Sequence, residues 1–294
     1  MPHTSDSAQN TARLPRVAIL GLGSMGGSIL TGLQHSELET DGPIRVTTNS
    51  RKSAARLAEQ ENVAAAARED TPSANRDAAG DAELVILAVK PWLILEVLRD
   101  IAAVLKPGTV VASVAAGITI DAMRALVPES VTVARTMPNT PSEVGLGMTG
   151  ISVPEGTDPA RVTLIETVFN TVGKTLVVPE AQIDALTAVS GSGPAYLFWF
   201  AEELTDGAKR LGFTDEQAQL LAETTISGAA ALMFEARAAG VSPEQLRKNV
   251  TSPNGTTEKA VQVFQASDFD ATVDQALRAA ADRAAELAAE NSEA

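Results

Sequence analysis

The chain has 294 residues, of which 45% are hydrophobic and only 3% aromatic, with a formal net charge of −14 and no cysteine. This length suits one large domain or two ordinary ones, and the hydrophobic content is sufficient for substantial cores. The absence of cysteine excludes disulfides, cysteine metal ligands and a cysteine nucleophile. The acidic balance argues against nucleic-acid binding, which requires clustered Lys and Arg.

Residues 1–14 are expected to form a disordered extension. They lack the apolar core of a secretory signal and the arginine-rich amphipathic pattern of a transit peptide. No apolar run in the sequence reaches the roughly 18 residues that span a bilayer. We therefore expect a cytoplasmic protein without a membrane partner, and the sequence offers no metal-ligand pattern.

From residue 15 to residue 179, short apolar runs alternate with helical patterns. The predicted strands are 16–20, 44–48, 84–89, 109–114, 131–135 and 174–178, and the predicted helices between them include 51–60, 92–104, 120–126 and 159–172. This alternation is typical of the α/β class. It predicts an N-terminal Rossmann-type domain with a doubly wound parallel sheet over residues 15–179.

The segment 180–294 lacks strand patterns and is predicted to be all-helical. Helices are expected to begin at Thr214 and Ser242, each followed three residues later by Gln as in a capping box. The last helix, about 270–290, carries an alanine-rich apolar stripe. That stripe is compatible with packing inside its own domain or with close approach between two subunits, as in a homodimer.

A glycine motif opens the first predicted helix. Gly21-Leu22-Gly23-Ser24-Met25-Gly26 has the form G-x-G-x-x-G and follows a strand, which is the context of a dinucleotide-binding turn. Gly21 allows the tight turn, Gly23 admits a pyrophosphate and Gly26 lets the helix pack on the strand. The alternative is a glycine-rich connection that binds no ligand.

The second predicted strand ends without an acidic residue. An NAD site usually places Asp or Glu there to hold the ribose 2′-hydroxyl, but this chain has Ser50, Arg51 and Lys52. Two cations after a small polar residue favour the 2′-phosphate of NADPH, although NADH remains an alternative. The two cations could also simply begin a solvated helix face.

Small residues follow two further strands at the carboxyl edge, where ligands bind in open α/β sheets. They are Ala88, Val89, Lys90 and Pro91 after one strand and Ala116 and Gly117 after the next. We predict that they approach the cofactor, the alternative being ordinary turns.

Two segments of the second half enter helices through serine, glycine and threonine. They are residues 190–196 (SGSGPAY) and 250–257 (VTSPNGTT). Unbonded N–H groups at a helix start can hold a carboxylate without Arg or Lys. In the second segment we expect Ser252, Gly255 and Thr256 to shape such a site, and the alternative is two well-capped helix starts.

Together these motifs resemble the pyrroline-5-carboxylate reductase family. The likeness covers about residues 15–285 and includes 21–26, 88–91, 115–117, 137–141, 190–196 and 250–257 in the family's order. It implies reduction of the C=N bond of 1-pyrroline-5-carboxylate to L-proline by NAD(P)H. It also implies a homodimer built through the helical domain, with dimers that can assemble into rings.

The resemblance assigns site residues as well. It implies that Thr257 meets the ring nitrogen, as the catalytic contact, and that the substrate also lies near Glu180 and Ser190. On the cofactor side it adds Asn75 and Asn249 to Ser50 and the 88–91 segment. Sequence does not decide whether Thr256 or Thr257 faces the nitrogen.

One departure and two rival functions remain. The family usually has two glycines after Ser-Pro, whereas this chain has Asn254-Gly255, and Asn tolerates left-handed backbone angles. One rival is a β-hydroxyacid dehydrogenase-like oxidoreductase, which would need a helix lysine that residues 190–204 lack. The other is a non-catalytic NADP(H)-sensing protein.

Overall fold

The computed structural model describes residues 13–292, which form two compact units. The first contains residues 13–191 and 280–292, and the second is the segment Ser192–Ala279. The predicted domain boundary at 179/180 precedes this division, because the three short helical segments of residues 180–191 belong to the first unit. The predicted disordered extension reached residue 14, but Arg13 and Leu14 form a strand and Leu14 is buried. The rest of that prediction lies outside the described residues.

The first unit is built on an eight-stranded sheet with the order β10-β9-β8-β7-β6-β2-β4-β5, and β1 and β3 form a separate parallel pair. All neighbours in the large sheet are parallel except β8 and β9. The order β5-β4-β2-β6-β7-β8 is that of the dinucleotide-binding fold. The strands are β1 (Arg13–Leu14), β2 (Val17–Leu20), β3 (Glu39–Thr40), β4 (Ile44–Thr48), β5 (Val63–Ala67), β6 (Leu84–Leu87), β7 (Val110–Ser113), β8 (Thr132–Met137), β9 (Gly147–Ser152) and β10 (Gly173–Val177).

Helices cover both faces of the sheet and make up the second unit. Those of the first unit are α1 (Ser24–His35), α2 (Arg51–Ala55), α3 (Ala74–Ala79), α4 (Ile94–Ile101), α5 (Ile120–Arg124), α6 (Pro159–Phe169) and α7 (Ile183–Leu186). Those that follow are α8 (Gly193–Arg210), α9 (Asp215–Ala238), α10 (Pro243–Asn249), α11 (Thr256–Ala266) and α12 (Phe269–Ser292). The α/β class and the doubly wound sheet followed by helices are therefore confirmed.

Alternating residues of β2 pack into two separate hydrophobic cores, one on each face of the sheet. Val17 and Ile19 join α1 and α6 on one face, whereas Ala18 and Leu20 join α3, α4 and α5 on the other. All four side chains are essentially inaccessible to solvent. A central strand that is buried on both faces is what holds the carboxyl edge of the sheet in a fixed place.

The helix starts agree with their capping sequences to different degrees. Thr214 accepts from the Gln217 N–H, and the Gln217 side chain accepts from the Thr214 N–H, which completes the capping box. Ser242 also accepts from the Gln245 N–H at 3.2 Å. The Gln245 side chain donates instead to Asn249 at 2.7 Å, so only half of the second box forms.

The last helix, α12, is divided between the two units. Its final part, from Ala280, is counted with the first unit, and Ala284 and Ala288 of the predicted apolar stripe are buried. Asn291 Nδ2 donates to the Gly117 carbonyl at 3.1 Å. This part of the stripe thus packs inside its own chain. Across residues 13–292, no helix combines the length and the apolar character that crossing a membrane demands.

Candidate active site

A cleft of about 690 Å³ opens at the carboxyl ends of the central strands of the first unit. It gathers most of the predicted cofactor residues. Those lining it are Gly21, Leu22, Gly23, Ser24, Met25, Ser50, Asn75, Ala88, Val89, Lys90, Pro91 and Ala116.

The glycine turn after β2 shapes one wall of this cleft. Gly21 has a φ of +93°, and a Cβ there would lie 2.7 Å from Val89 Cγ1, so glycine is required. A Cβ on Gly23 would meet no atom within 4 Å. Helix α1 starts there without a side-chain cap or an acidic residue in its first turn. Its free N–H groups and dipole fit a pyrophosphate.

Hydrogen bonds tie this turn to β4 and α3. The Gly21 N–H donates to Thr47 O at 3.1 Å and to Thr47 Oγ1 at 3.3 Å. The Thr47 hydroxyl in turn donates to Asn75 Oδ1 at 2.8 Å. Asn75 is buried near the start of α3. The turn and Asn75 therefore form one connected wall, although the sequence separates them widely.

The end of β4 supplies hydroxyl groups. Ser50 caps α2 by accepting from the Ser53 N–H at 3.3 Å, and the two hydroxyl oxygens lie 3.0 Å apart. Both residues line the cleft, and among its described lining residues there is neither Asp nor Glu. A cleft that lacks carboxylates in a chain of charge −14 is suited to an anionic ligand.

Arg51 and Lys52, which were predicted to meet a 2′-phosphate, are not among the described lining residues. Arg51 Nε donates to both carboxylate oxygens of Asp70, at 2.8 and 3.0 Å. This hydrogen-bonded ion pair raises the pKa of Arg51 and lowers the pKa of Asp70. Lys52 is exposed. The guanidinium of Arg51 is thus already matched by a carboxylate of this chain.

Sequence reasoning missed Arg68, which does line the cleft. Arg68 directly follows β5, and its N–H donates to the Thr48 carbonyl at 2.9 Å, which extends the β4–β5 ladder by one residue. The run of four alanines in 63–67 was not predicted as a strand. Recognition of that strand would have placed Arg68 at the carboxyl edge.

Three other predicted cofactor residues, Gly26, Gly117 and Asn249, are not among the described residues that line the cleft. A Cβ on Gly26 would lie 2.4 Å from the Gly21 carbonyl oxygen, as expected of a glycine that brings α1 close to the turn. A Cβ on Gly117 would lie 2.9 Å from Asn291 Nδ2, so this glycine accommodates α12. Asn249 ends α10 in the second unit. Their contacts with a cofactor stay predictions.

Glu180 and Ser190 of the predicted substrate site lie in the first unit and make internal bonds. Glu180 Oε1 accepts from the Ile120 N–H at 2.8 Å and lies 3.6 Å from the buried guanidinium of Arg135. The Ser190 carbonyl accepts from Asn139 Nδ2 at 2.9 Å. Both residues are therefore held in defined positions by the sheet edge.

The loop 250–257 belongs to the second unit. Asn254 has a φ of +58°, a left-handed angle that Asn tolerates, and its N–H donates to Glu258 Oε2 at 2.9 Å. A Cβ on Gly255 would lie 2.4 Å from Ser252 Oγ. Helix α11 then begins without a side-chain cap, which leaves the N–H groups of its first turn available to an anion.

The threonines at the start of α11 differ in exposure. Within the second unit Thr256 is exposed and Thr257 is half-buried. No cluster of three or more His, Asp or Glu within residues 13–292 could hold a metal ion. The predicted substrate residues are divided between the two units and remain predictions.

Comparison with known proteins identifies the family. Residues 180–287 match the family model described as pyrroline-5-carboxylate reductase dimerisation, and residues 16–117 match the model described as NADP oxidoreductase coenzyme F420-dependent. A curated pyrroline-5-carboxylate reductase of Pseudomonas aeruginosa is 38% identical over 93% of this chain and 97% of its own length. The chain belongs to the pyrroline-5-carboxylate reductase family. It is accordingly an NAD(P)H-dependent oxidoreductase.

Solved structures agree with this membership. A pyrroline-5-carboxylate reductase from Coxiella burnetii is 35% identical, has a TM-score of 0.83, and is matched over 92% of this chain and 98% of its own. The Plasmodium falciparum pyrroline carboxylate reductase with NADP bound has a TM-score of 0.76 at 24% identity, over 93% and 98% of the two chains. The second likeness speaks for the fold alone.

Proposed function

We propose that this chain reduces the C=N bond of 1-pyrroline-5-carboxylate to give L-proline, with NADPH as the preferred reductant. The proposal is carried by one observation: the same cleft brings together the glycine turn, Ser50, Asn75 and the 88–91 segment, in a chain of this family. When bound, the reduced nicotinamide supplies the hydride.

The substrate carboxylate would lie on helix α11. The uncapped first turn offers N–H groups, and Gly255 lets the backbone pass close to Ser252. Backbone donors at a helix start bind an anion without a cationic side chain. This arrangement suits a substrate whose ring must be fixed through one carboxylate.

Thr257 is the proposed hydrogen-bonding partner of the ring nitrogen. A protonated imine is already electrophilic, so the protein needs to orient the ring more than to supply a strong acid. Glu180 and Ser190 of the first unit are also proposed as substrate-binding residues, and they bond to Ile120 and Asn139 within that unit. Asn249 is proposed to approach the cofactor.

The helical unit is proposed to form a homodimer, with rings of dimers as a further level of assembly. Helix α8 exposes a continuous run of large apolar side chains, including Phe198 at 62% and Trp199 at 65%. Such a patch marks an interaction surface, and the matched family model names dimerisation. The cytoplasmic location stays a prediction.

Initial-rate measurements on the purified chain test the reaction. We expect NADPH to be consumed only when 1-pyrroline-5-carboxylate is added, with L-proline formed in equal amount. No consumption at any substrate concentration would refute the reductase, and the same assay would then favour a non-catalytic binder. A marked preference for NADH in parallel assays would refute the choice of NADPH alone.

A charge substitution tests the dimer. Trp199→Glu should shift the sedimentation coefficient towards the monomer, because a carboxylate cannot be buried unpaired in an apolar interface. Trp92→Glu is the matched control, since Trp92 is similarly exposed at 71% but lies in the first unit. A dimer that survives Trp199→Glu as well as Trp92→Glu contradicts this interface.

A further inference from the structure

Arg68 is a cation among the residues that line the cofactor cleft. It is half-buried and lines the cleft, and its guanidinium forms no ion pair with any residue in the range 13–292. The sequence motif had pointed instead to Arg51. Among the described residues, Arg51 forms an ion pair with a carboxylate and Arg68 does not.

Arg51 is neutralised by its neighbours. Its guanidinium holds both oxygens of Asp70, and its backbone N–H donates to Glu69 Oε2 at 3.0 Å. An anion that approached Arg51 would have to displace Asp70 or share the guanidinium with it. The start of α2 is likewise occupied by the Glu69 carboxylate.

Arg68 stands at the position where this fold distinguishes ribose substituents. That position is the end of the second strand of the dinucleotide-binding order, which here is β4, and the Arg68 N–H is bonded to Thr48, the last residue of β4. The hydroxyls of Ser50 and Ser53 line the same wall. A guanidinium and two hydroxyls that line one cleft offer the kinds of donor that bind a phosphate monoester.

We propose that Arg68, rather than Arg51, is the residue that selects the 2′-phosphate of the cofactor, with Ser50 and Ser53 as additional donors. This inference rests on the proposed use of NADPH. It assigns the specificity of the cleft to a residue outside the Ser50-Arg51-Lys52 segment, directly after β5.

Isothermal titration of the full chain with two cofactor fragments tests the assignment without any turnover. The probes are adenosine 2′,5′-bisphosphate and 5′-AMP, which differ by the 2′-phosphate. Arg68→Gln should weaken binding of the bisphosphate roughly ten- to hundredfold, the range for hydrogen bonds to a charged group, and leave 5′-AMP binding unchanged. Arg51→Gln, the matched control, should change either affinity by less than about threefold, because its ion pair is exposed.

Three results would overturn the proposal. They are wild-type affinity for the bisphosphate in Arg68→Gln, an equal loss of both probes in that variant, or a larger loss of bisphosphate binding in Arg51→Gln. The 5′-AMP arm reports whether the cleft is still folded. If the wild-type chain fails to reduce 1-pyrroline-5-carboxylate but bisphosphate binding depends on Arg68, the proposed reaction falls and the Arg68 assignment stands.

Discussion

Gly26 and Gly27 are neighbouring glycines of α1 that differ in what an added methyl group would meet. A Cβ on Gly26 would lie 2.4 Å from the Gly21 carbonyl oxygen, whereas a Cβ on Gly27 would find no atom within 4 Å. The obstructing oxygen belongs to a tight backbone turn and cannot rotate away, so α1 would have to move. Overpacking of this kind costs about 1–3 kcal/mol, and the better helix propensity of alanine offsets up to about 1 kcal/mol of it.

We therefore expect Gly26→Ala to lower the free energy of unfolding by roughly 1–2 kcal/mol and Gly27→Ala to raise it by roughly 0.5–1 kcal/mol. Urea unfolding followed by circular dichroism measures both, at one fixed protomer concentration because association shifts apparent stability. Gly26→Ala should also weaken binding of adenosine 2′,5′-bisphosphate, since the start of α1 moves. Equal stability of the two variants, with unchanged ligand binding, would refute the reasoning.

Three further substitutions follow from the contacts. Thr257→Val should lower kcat/KM for 1-pyrroline-5-carboxylate roughly tenfold or more through loss of a hydrogen bond to a charged nitrogen. The loss should be larger than in Thr256→Val, and equal rates of the two variants in steady-state assays would contradict the role of Thr257. Asn254→Ala should destabilise the chain by about 1 kcal/mol, because alanine disfavours a φ of +58°. Asn254→Gly should be nearly neutral. Identical urea midpoints of the two variants would contradict this role of the backbone angle. Asp184→Asn removes the carboxylate 2.6 Å from the buried Arg135 guanidinium and should lower the unfolding free energy by roughly 1.5–3 kcal/mol, with an unshifted denaturation curve as the contrary result.

The sheet could be predicted wherever a strand is rich in Val, Ile and Leu. Strands β5 and β9 escaped prediction, since Val63–Ala67 consists mostly of alanine and Gly147–Ser152 contains two glycines. In these strands, pairing with neighbours decides the conformation and intrinsic propensity does not. The reversed direction of β9 is equally a property of its pairing with β8.

In the candidate site, too, features set by adjacent residues could be predicted, whereas features set by residues distant in sequence could not. The glycine turn was predictable because its residues adjoin one another and each has a steric reason. The partner of Arg51 was not, since Asp70 is brought to it only by β5. Arg68 escaped for the same reason: its place at the sheet edge depends on strand register, which a single sequence does not display.

The first unit is discontinuous along the chain, and this affects when it can be completed during synthesis. Residues 280–292, which include Asn291 and its bond to Gly117, are translated only after the whole of Ser192–Ala279. Domains generally fold as they emerge from the ribosome. Here the nucleotide-binding sheet can assemble early, but the 115–117 turn beside its cleft gains its last support only when α12 has emerged. A nascent chain that stalls before residue 280 would therefore hold a formed sheet with one edge of its cleft unsupported.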